Sequence, residues 1–200
     1  MIKNIVFDLG RVLVNFESRE YLKEFGYDDK TVEKLNEIIF KSQEWLSCDS
    51  GTYENNTDIA EILIEKYPDY SEMIKKVLTK EWVKMLTLKE DTAEYLKELK
   101  SRGFKIYILS NLSKESYDYN SKYEFFKYTD GGVYSYEVKK IKPNPEIYTE
   151  LLKKYNLIPE ETIFIDDVKE NIDAANKLKI NGVIFENLDQ VKKEVETLIK

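Results

Sequence analysis

The hydrophobic positions of the chain follow two different periods. Between residues 17 and 87, apolar side chains recur three or four positions apart, which is the spacing of one helix face. From residue 91 onward, helical patterns alternate with short β-branched or aromatic runs. These runs predict buried strands at 5–7, 105–110, 162–165 and 182–185, and a shorter strand at 133–136.

Alternation of strands and helices predicts an α/β fold with a Rossmann-like, doubly wound parallel sheet and helices on both faces. The helical stretch lies between the first and second predicted strands and is longer than a crossover helix requires. We therefore expect a Rossmann-like catalytic core over 1–15 and 88–200, with an α-helical cap subdomain inserted over 16–87.

Composition limits the chemistry that the chain can perform. The 200 residues carry a formal net charge of −7, which argues against a nucleic-acid or membrane partner. The amino terminus runs into a strand without a signal segment, so we expect a cytoplasmic protein. The single cysteine forms no internal disulfide, and the chain has no histidine. Catalysis must therefore use carboxylates, lysine, hydroxyls, amides or a cation held by oxygen atoms.

Polar and charged side chains stand where the predicted strands end. In open α/β sheets, ligands bind outside the carboxyl ends of the strands, so these side chains are expected to converge in one crevice. Carboxylates can attack phosphorus and hold Mg²⁺, while a hydroxyl, an amide and an ammonium suit phosphate oxygens. The candidates are Asp8, Ser110, Asn111, Asp166 and Asp167, with Lys142 in the loop before Pro145.

Four segments at 7–13, 108–111, 142–145 and 164–171 contain Asp8, Ser110-Asn111, Lys142-Pro143 and Asp166-Asp167 in that order. These segments resemble the four motifs of the haloacid dehalogenase-like (HAD) hydrolase superfamily, both in their order and in the strands that flank them. The helical stretch falls where subfamily I of that superfamily inserts its helical cap. The resemblance implies a Mg²⁺-dependent phosphatase of small phosphorylated metabolites that forms an aspartyl-phosphate.

The resemblance also implies a role for each candidate. Asp8 would be the nucleophile and a metal ligand, and the Gly10 carbonyl a second ligand. Ser110, with the backbone of Asn111, would bind the phosphate, and Lys142 would stabilise the pentacoordinate state. Asp167 would complete the metal site and Asp166 would contribute indirectly or through water. Asn171 is expected to orient the acidic loop.

One position departs from the family pattern. Phosphatases of this superfamily usually carry an aspartate, as general acid and base, two residues after the nucleophile, where this chain has Gly10. The sequence Asp-Leu-Gly-x-Val resembles the branch that includes sugar-1-phosphate phosphatases and the amino-terminal domain of soluble epoxide hydrolases. Because an anomeric hydroxyl leaves more readily without protonation, sugar 1-phosphates are expected to be favoured over 6-phosphates.

Two other functions stay open at this point. A metal-independent 2-haloacid dehalogenase would use the same aspartate, although two further acids beside it would then lack a compensating cation. A non-catalytic binding protein of the same fold is suggested by Gly10 alone. Substrate choice is expected to lie in the cap, whose inner face has Arg19, Glu44, Trp45 and Tyr53 as candidate lining residues. The flexible loop expected over 44–56, with Asp49, Gly51, Asn55 and Asn56, is the candidate specificity element. The pattern does not specify an oligomeric state.

Overall fold

A five-stranded parallel sheet forms the centre of the protein. The computed structural model describes residues 1–79 and 81–200. Along the sheet the strands take the order β3-β2-β1-β4-β5. The predicted strands are confirmed with small shifts in their ends: β1 (Asn4–Phe7), β2 (Lys105–Ser110), β3 (Gly131–Tyr134), β4 (Thr162–Asp166) and β5 (Asn181–Ile184).

Strand β1 is central and sets the position of the site. Its last residue, Phe7, pairs with Ile108 of β2 on one side and with Ile165 of β4 on the other. Parallel strands point the same way, so the residues that follow these three positions emerge at one edge of the sheet. The expected convergence of the strand ends is therefore built into the register.

Short helices fill the chain between β1 and β2. Asp28 and Ser42 cap two of them by accepting hydrogen bonds from the backbone N–H groups of Thr31 and Trp45. Short 3₁₀ helices at Asn56–Ile59, Pro68–Tyr70 and Trp82–Met85 lie among them. The α-helices are α1 (Ser18–Lys23), α2 (Asp29–Ile38), α3 (Gln43–Asp49), α4 (Ala60–Lys66) and α5 (Ser71–Val77).

The continuous helical face predicted over 74–85 is broken. Helix α5 ends at Val77, and a separate 3₁₀ helix begins at Trp82; residue 80, which the predicted face spans, lies outside the described residues. Trp82 is fully buried, and its indole N–H donates to Glu115. The indole therefore has a polar partner, Glu115, that the hydrophobic pattern does not predict.

Six further helices follow the strand pattern. The sequence of 114–127 predicts one helix, but the segment forms α7 (Lys114–Asn120) and a 3₁₀ helix at Glu124–Tyr128, because the backbone of Tyr123 is extended. The strand expected at 133–136 ends at Tyr134, where α8 begins. The helices are α6 (Glu90–Ser101), α7 (Lys114–Asn120), α8 (Ser135–Val138), α9 (Pro145–Tyr155), α10 (Lys169–Lys177) and α11 (Leu188–Leu198).

Apolar side chains cover both faces of the sheet. Val6 and Phe164 lie in one cluster with side chains of α9 and α10. Ile5 and Phe7 lie in a second cluster that includes residues of α6 and α11 and continues into α1–α5. The doubly wound α/β arrangement is thus confirmed, while the division at residues 16–87 stays a prediction. In the described part of the chain, no helix combines the length and apolar character needed to span a bilayer.

One carboxylate connects α7 to the helical stretch. Glu115 Oε2 accepts the backbone N–H of Asn56 and the indole N–H of Trp82, each over 2.9 Å. Beside it, the Ser113 hydroxyl donates to Asn56 Oδ1. Residues before β2 are therefore fixed to a helix that follows it.

Candidate active site

Asp8 lies immediately after β1 and is the centre of the site. Its backbone N–H donates to the carbonyl oxygen of Ile165 over 2.9 Å, and the residue is 7% exposed. Burial raises the pKa of the Asp8 carboxyl to about 6, against the opposing attraction of Lys142 and a hydrogen bond from Ser110. Burial therefore has the largest effect on the pKa of the Asp8 carboxyl, and the charge of Lys142 opposes it.

Lys142 joins two of the carboxylates. Its Nζ lies 2.8 Å from Asp8 Oδ1 and 2.6 Å from Asp166 Oδ2, and it also donates to the Leu109 carbonyl over 3.0 Å. The contact with Asp8 is an ion pair without aligned hydrogen-bond geometry. Burial disfavours the ammonium, but the two carboxylates outweigh this effect and raise the pKa of Lys142. One buried cation thus pairs with two buried acids, and the two carboxylates still outnumber it.

Asp166 is fully buried and uses both carboxylate oxygens internally. The Asn171 amide donates to Oδ1 and Oδ2 over 3.0 Å each, and the Val168 N–H donates to Oδ1 over 2.8 Å. Asn171 therefore orients the acidic loop as the sequence predicted. With its oxygens occupied in this way, Asp166 positions Lys142, which fits the indirect role expected for it at a metal.

Asp167 faces the cavity from the same loop. Oxygen atoms of Asp8, Asp166 and Asp167 all lie within 4.8 Å of one another. Burial and the nearby Asp166 raise the pKa of Asp167, and Arg11, whose Nη1 lies 3.6 Å from Asp167 Oδ2, partly offsets them. Repulsion among crowded carboxylates is relieved by a hard cation with oxygen ligands, so this group fits Mg²⁺.

Ser110 is the last residue of β2 and Asn111 follows it, and the two side chains have different contacts. Ser110 is 1% exposed and lines the cavity beside Asp8. The Asn111 side chain instead hydrogen-bonds the backbone of Lys142. Its amide is therefore already engaged, which leaves its backbone for the phosphate contact expected from the sequence.

Gly10 also lines the cavity. A Cβ atom placed on Gly10 would meet no heavy atom within 4 Å. The position can therefore accept a larger side chain, and as it stands it offers no group that could transfer a proton.

The site opens into a cavity of about 320 Å³. Its walls combine the residues above with apolar side chains from the helical stretch and the core. Two further polar residues also line it: Asp49, which lies in the expected specificity stretch 44–56, and Asn120, which the sequence analysis missed. The apolar lining residues include Phe16, Phe40, Trp45, Leu46, Leu86 and Leu112.

The candidate specificity residues divide into two groups. Trp45 lines the cavity as expected. Arg19 pairs with Glu33 and Glu44 with Lys66, and Tyr53 lines a different cavity, so none of these three faces the site. The loop expected over 44–56 is wrong in its first part, because the Ser42 cap starts helix α3, which runs to Asp49.

A spacing signal for the positions of Asp49 and Asn120 on the cavity wall was present in the sequence. Asp49 is four positions after Trp45, and Asn120 is four positions after Ser116, so each shares a helix face with another residue of the cavity. Spacing alone does not say which face turns inward, and the packing of α3 and α7 decides it.

Comparison with known proteins agrees with this arrangement. The chain is 26% identical over 217 aligned positions to D-ribitol-5-phosphate phosphatase of Bacteroides thetaiotaomicron, covering 100% of this chain and 99% of that protein. It is 30% identical over 91 residues to a phosphorylated carbohydrates phosphatase of Thermotoga maritima, covering 45% of this chain and 42% of that protein.

Solved structures share the fold. A HAD family enzyme of Bacteroides thetaiotaomicron in complex with magnesium and inorganic phosphate superposes with a TM-score of 0.72 at 23% identity, covering 96% of this chain and 99% of that chain. The L-2-haloacid dehalogenase of Xanthobacter autotrophicus superposes with a TM-score of 0.70 at 19% identity, covering 98% and 83%.

The family model described as haloacid dehalogenase-like hydrolase matches residues 2–179, which include β1, the loop of Lys142 and the Asp166-Asp167 pair. The chain belongs to the haloacid dehalogenase-like hydrolase family and is a hydrolase of that family.

Proposed function

We propose that the protein is a Mg²⁺-dependent phosphatase of small phosphorylated carbohydrates, with Asp8 as nucleophile. The observation that carries the proposal is the buried Asp8 carboxylate, which opens into the cavity between the Lys142 ammonium and the neighbouring acids. A carboxylate so placed can attack phosphorus and form an aspartyl-phosphate, which water then hydrolyses.

Asp8 and Asp167 are the side chains proposed to hold the metal, with the carbonyl of Gly10 as a further oxygen ligand and Asp166 acting indirectly. The approach of oxygen atoms of Asp8, Asp166 and Asp167 to within 4.8 Å of one another supports this assignment. A bound Mg²⁺ would neutralise the negative charge of the carboxylates and of the phosphate oxygens.

Ser110, the Asn111 backbone and Lys142 are proposed to receive the phosphoryl group. The Ser110 hydroxyl lies at the end of the strand next to β1, where it can donate to a phosphate oxygen. Lys142 brings a positive charge against Asp8, so negative charge that develops during attack is stabilised by a group already in place.

The carbohydrate part of the substrate is proposed to occupy the outer cavity. Asn120 is 4% exposed, and its Oδ1 atom has no hydrogen-bond partner among the described residues. A sugar hydroxyl could donate to this oxygen while the chain carbons pack on Trp45 and Phe40. The relatives named for ribitol 5-phosphate and for phosphorylated carbohydrates support the same substrate class.

A preference for sugar 1-phosphates over 6-phosphates stays a finer prediction. It follows from Gly10, because a leaving group that departs without a proton is favoured where no acid assists it. The size of the preference for sugar 1-phosphates depends on whether another residue supplies the proton to the leaving group.

The test is a screen of small phosphorylated metabolites with Mg²⁺, comparing the wild type with Asp8→Asn. We expect phosphate release that EDTA abolishes, no turnover by Asp8→Asn, and a phosphoenzyme on Asp8 that hydroxylamine cleaves. Halide release from 2-chloropropionate in the presence of EDTA would instead assign a dehalogenase. Binding of vanadate without turnover of any phosphate would assign a binding protein.

A further inference from the structure

Asp49 is an acid of the cavity that the family motifs do not include. It is the last residue of α3 and lines the same cavity as Asp8 and Gly10. Among the described residues, no lysine or arginine nitrogen lies within 4.0 Å of its carboxylate, and the carboxylate takes part in no hydrogen bond. The group is therefore not used as an ion-pair partner or as a cap.

The backbone of Asp49 is held against the core. The Ser135 hydroxyl donates to the Asp49 carbonyl over 2.5 Å and accepts the N–H of Leu112 over 2.9 Å. Leu112 follows the Ser110-Asn111 pair by one residue, so this hydroxyl fixes the end of α3 relative to the proposed phosphate site. The position of the carboxyl is thus set by the fold.

The turn after Asp49 is equally close to the core. A Cβ atom on Gly51 would lie 2.4 Å from the Tyr136 carbonyl oxygen, so only glycine permits this approach. The Lys139 ammonium donates to the Gly51 carbonyl. Both contacts hold residues 49–51 beside the site.

The surroundings of the carboxyl favour its protonated form. Trp45, Leu46 and Leu112 form apolar walls of the cavity. Burial, reinforced by the negative charge of Asp8, raises the pKa of Asp49 from 3.8 to about 7. The other charged groups that line the cavity are Arg11, Lys142 and Asp167. Near neutral pH the carboxyl can therefore both donate and accept a proton.

We propose that Asp49, from the helical stretch, serves as the general acid and base that Gly10 cannot provide; this assignment rests on the proposed phosphatase function. As Asp8 attacks phosphorus, the bond from phosphorus to the substrate oxygen breaks and Asp49 gives its proton to that oxygen. Asp49, now a carboxylate, takes a proton from the water that attacks the aspartyl-phosphate. Phosphate leaves, and Asp8 and protonated Asp49 are restored.

The experiment compares leaving groups in the wild type and in Asp49→Asn, which keeps the size of the side chain. With D-ribitol 5-phosphate, an alkyl phosphate, we expect alcohol release to slow by about 10²–10⁴-fold, the usual contribution of general acid catalysis. With p-nitrophenyl phosphate, whose leaving group needs no proton, the first burst of p-nitrophenolate should change less than about tenfold. Steady-state turnover should fall for both substrates, because water attack needs the base.

Two further variants make the test specific. Asp69→Asn removes an exposed carboxylate of the same helical stretch and should match the wild type with both substrates. Gly10→Asp, added to Asp49→Asn, should recover at least tenfold of the lost alkyl phosphate activity, since the position has room for the side chain. Thermal unfolding of every variant checks the fold.

The outcomes separate the two proposals. A wild type without phosphatase activity would remove the proposed function and this assignment with it. If the wild type is active, equal losses in the first release of the two leaving groups, or no loss with either substrate, would overturn the role of Asp49 alone.

Discussion

The side chain of Asn111 holds the peptide groups of Lys142 at both ends. Its Nδ2 donates to the Lys142 carbonyl over 3.0 Å, and its Oδ1 accepts the Lys142 N–H over 2.8 Å. The loop after β2 thereby positions the loop before α9. The ammonium of Lys142 reaches Asp8 from a backbone that a neighbouring strand end has fixed.

Replacing Asn111 with alanine should therefore affect both stability and catalysis. The loss of two backbone contacts is expected to cost about 1–3 kcal/mol in the free energy of unfolding. kcat should fall because Lys142 is no longer held against Asp8. Urea unfolding and steady-state kinetics measure the two effects.

Asn181→Ala is the matched control for Asn111→Ala. Asn181 donates to the carbonyl oxygens of Glu160 and Thr162 at the amino ends of the strands, away from the site. A similar loss of stability with unchanged kcat is expected there. If both variants lowered kcat equally, the proposed positioning of Lys142 by Asn111 would be wrong.

Lys142→Met should destabilise the protein in a pH-dependent way. Removing one partner of a buried ion pair leaves unbalanced charge, which costs about 3–5 kcal/mol. Without the ammonium, the folded-state pKa of Asp8 rises above its present value of about 6, so the folded variant binds protons more tightly than the unfolded chain. Stability is then lost as the pH rises through that pKa.

The loss of unfolding free energy caused by Lys142→Met should accordingly be larger at pH 8 than at pH 5. Urea unfolding in EDTA at the two pH values measures it, with wild type under the same conditions as reference. A loss that is the same at both pH values would show that removing Lys142 leaves the folded-state pKa of Asp8 unchanged.

Asp49→Asn should gain stability relative to the wild type as the pH rises. The pKa of Asp49 is about 7 in the folded state and 3.8 in the unfolded state. Protonated Asp49 therefore contributes its full stabilisation below pH 3.8, and this contribution is lost as the pH rises to about 7. The amide does not ionise. One pKa unit corresponds to about 1.4 kcal/mol, and with allowance for solvent screening we expect a relative gain of about 2 kcal/mol between pH 4 and pH 8.

Unfolding in urea across that pH range, with EDTA present, gives the difference between the two proteins. Asp69→Asn, which removes an exposed carboxylate of the same helical stretch, is measured alongside as the control. A constant difference between Asp49→Asn and wild type would mean that the Asp49 carboxyl keeps an ordinary pKa.

Gly10→Asp should raise turnover most for poor leaving groups. A carboxyl at this position could protonate the leaving oxygen directly, and the space around Gly10 accepts it. In the wild type, the ratio of kcat/KM for glucose 1-phosphate to that for glucose 6-phosphate reports how far proton donation limits the reaction. We expect this ratio to increase in Asp49→Asn and to decrease in Gly10→Asp. Equal ratios in all three proteins would contradict any dependence on an acid.

The strand ends were predictable from sequence because the register of a parallel sheet determines them. Asp8 and Asp166 follow Phe7 and Ile165, which pair directly, so two buried runs sufficed to bring their carboxylates together. Lys142 was expected in the same crevice, but the contact that holds it there was not predictable, since its loop is held by the side chain of Asn111. No periodic pattern encodes such a contact.

The far side of the cavity was not predictable in the same way. Asp49 and Asn120 each lie on a helix with polar residues on several faces, and the inward face is set by packing. For α3, that packing depends on the hydroxyl of Ser135, a residue 86 positions further along the chain. The end of β3 was likewise misplaced because Ser135 starts α8 and does not continue the strand.

The double hydrogen bond to Glu115 has a consequence for how a substrate enters. Moving the whole helical stretch away as one rigid body would break both hydrogen bonds to Glu115, from Asn56 and from Trp82, at the same time. Access is easier if α2 and the start of α3 tilt while the Glu115 junction and the contacts of residues 49–51 stay closed and act as the pivot. The widening would then occur on the side of Trp45, so the aromatic wall proposed to receive the sugar would also be its entrance.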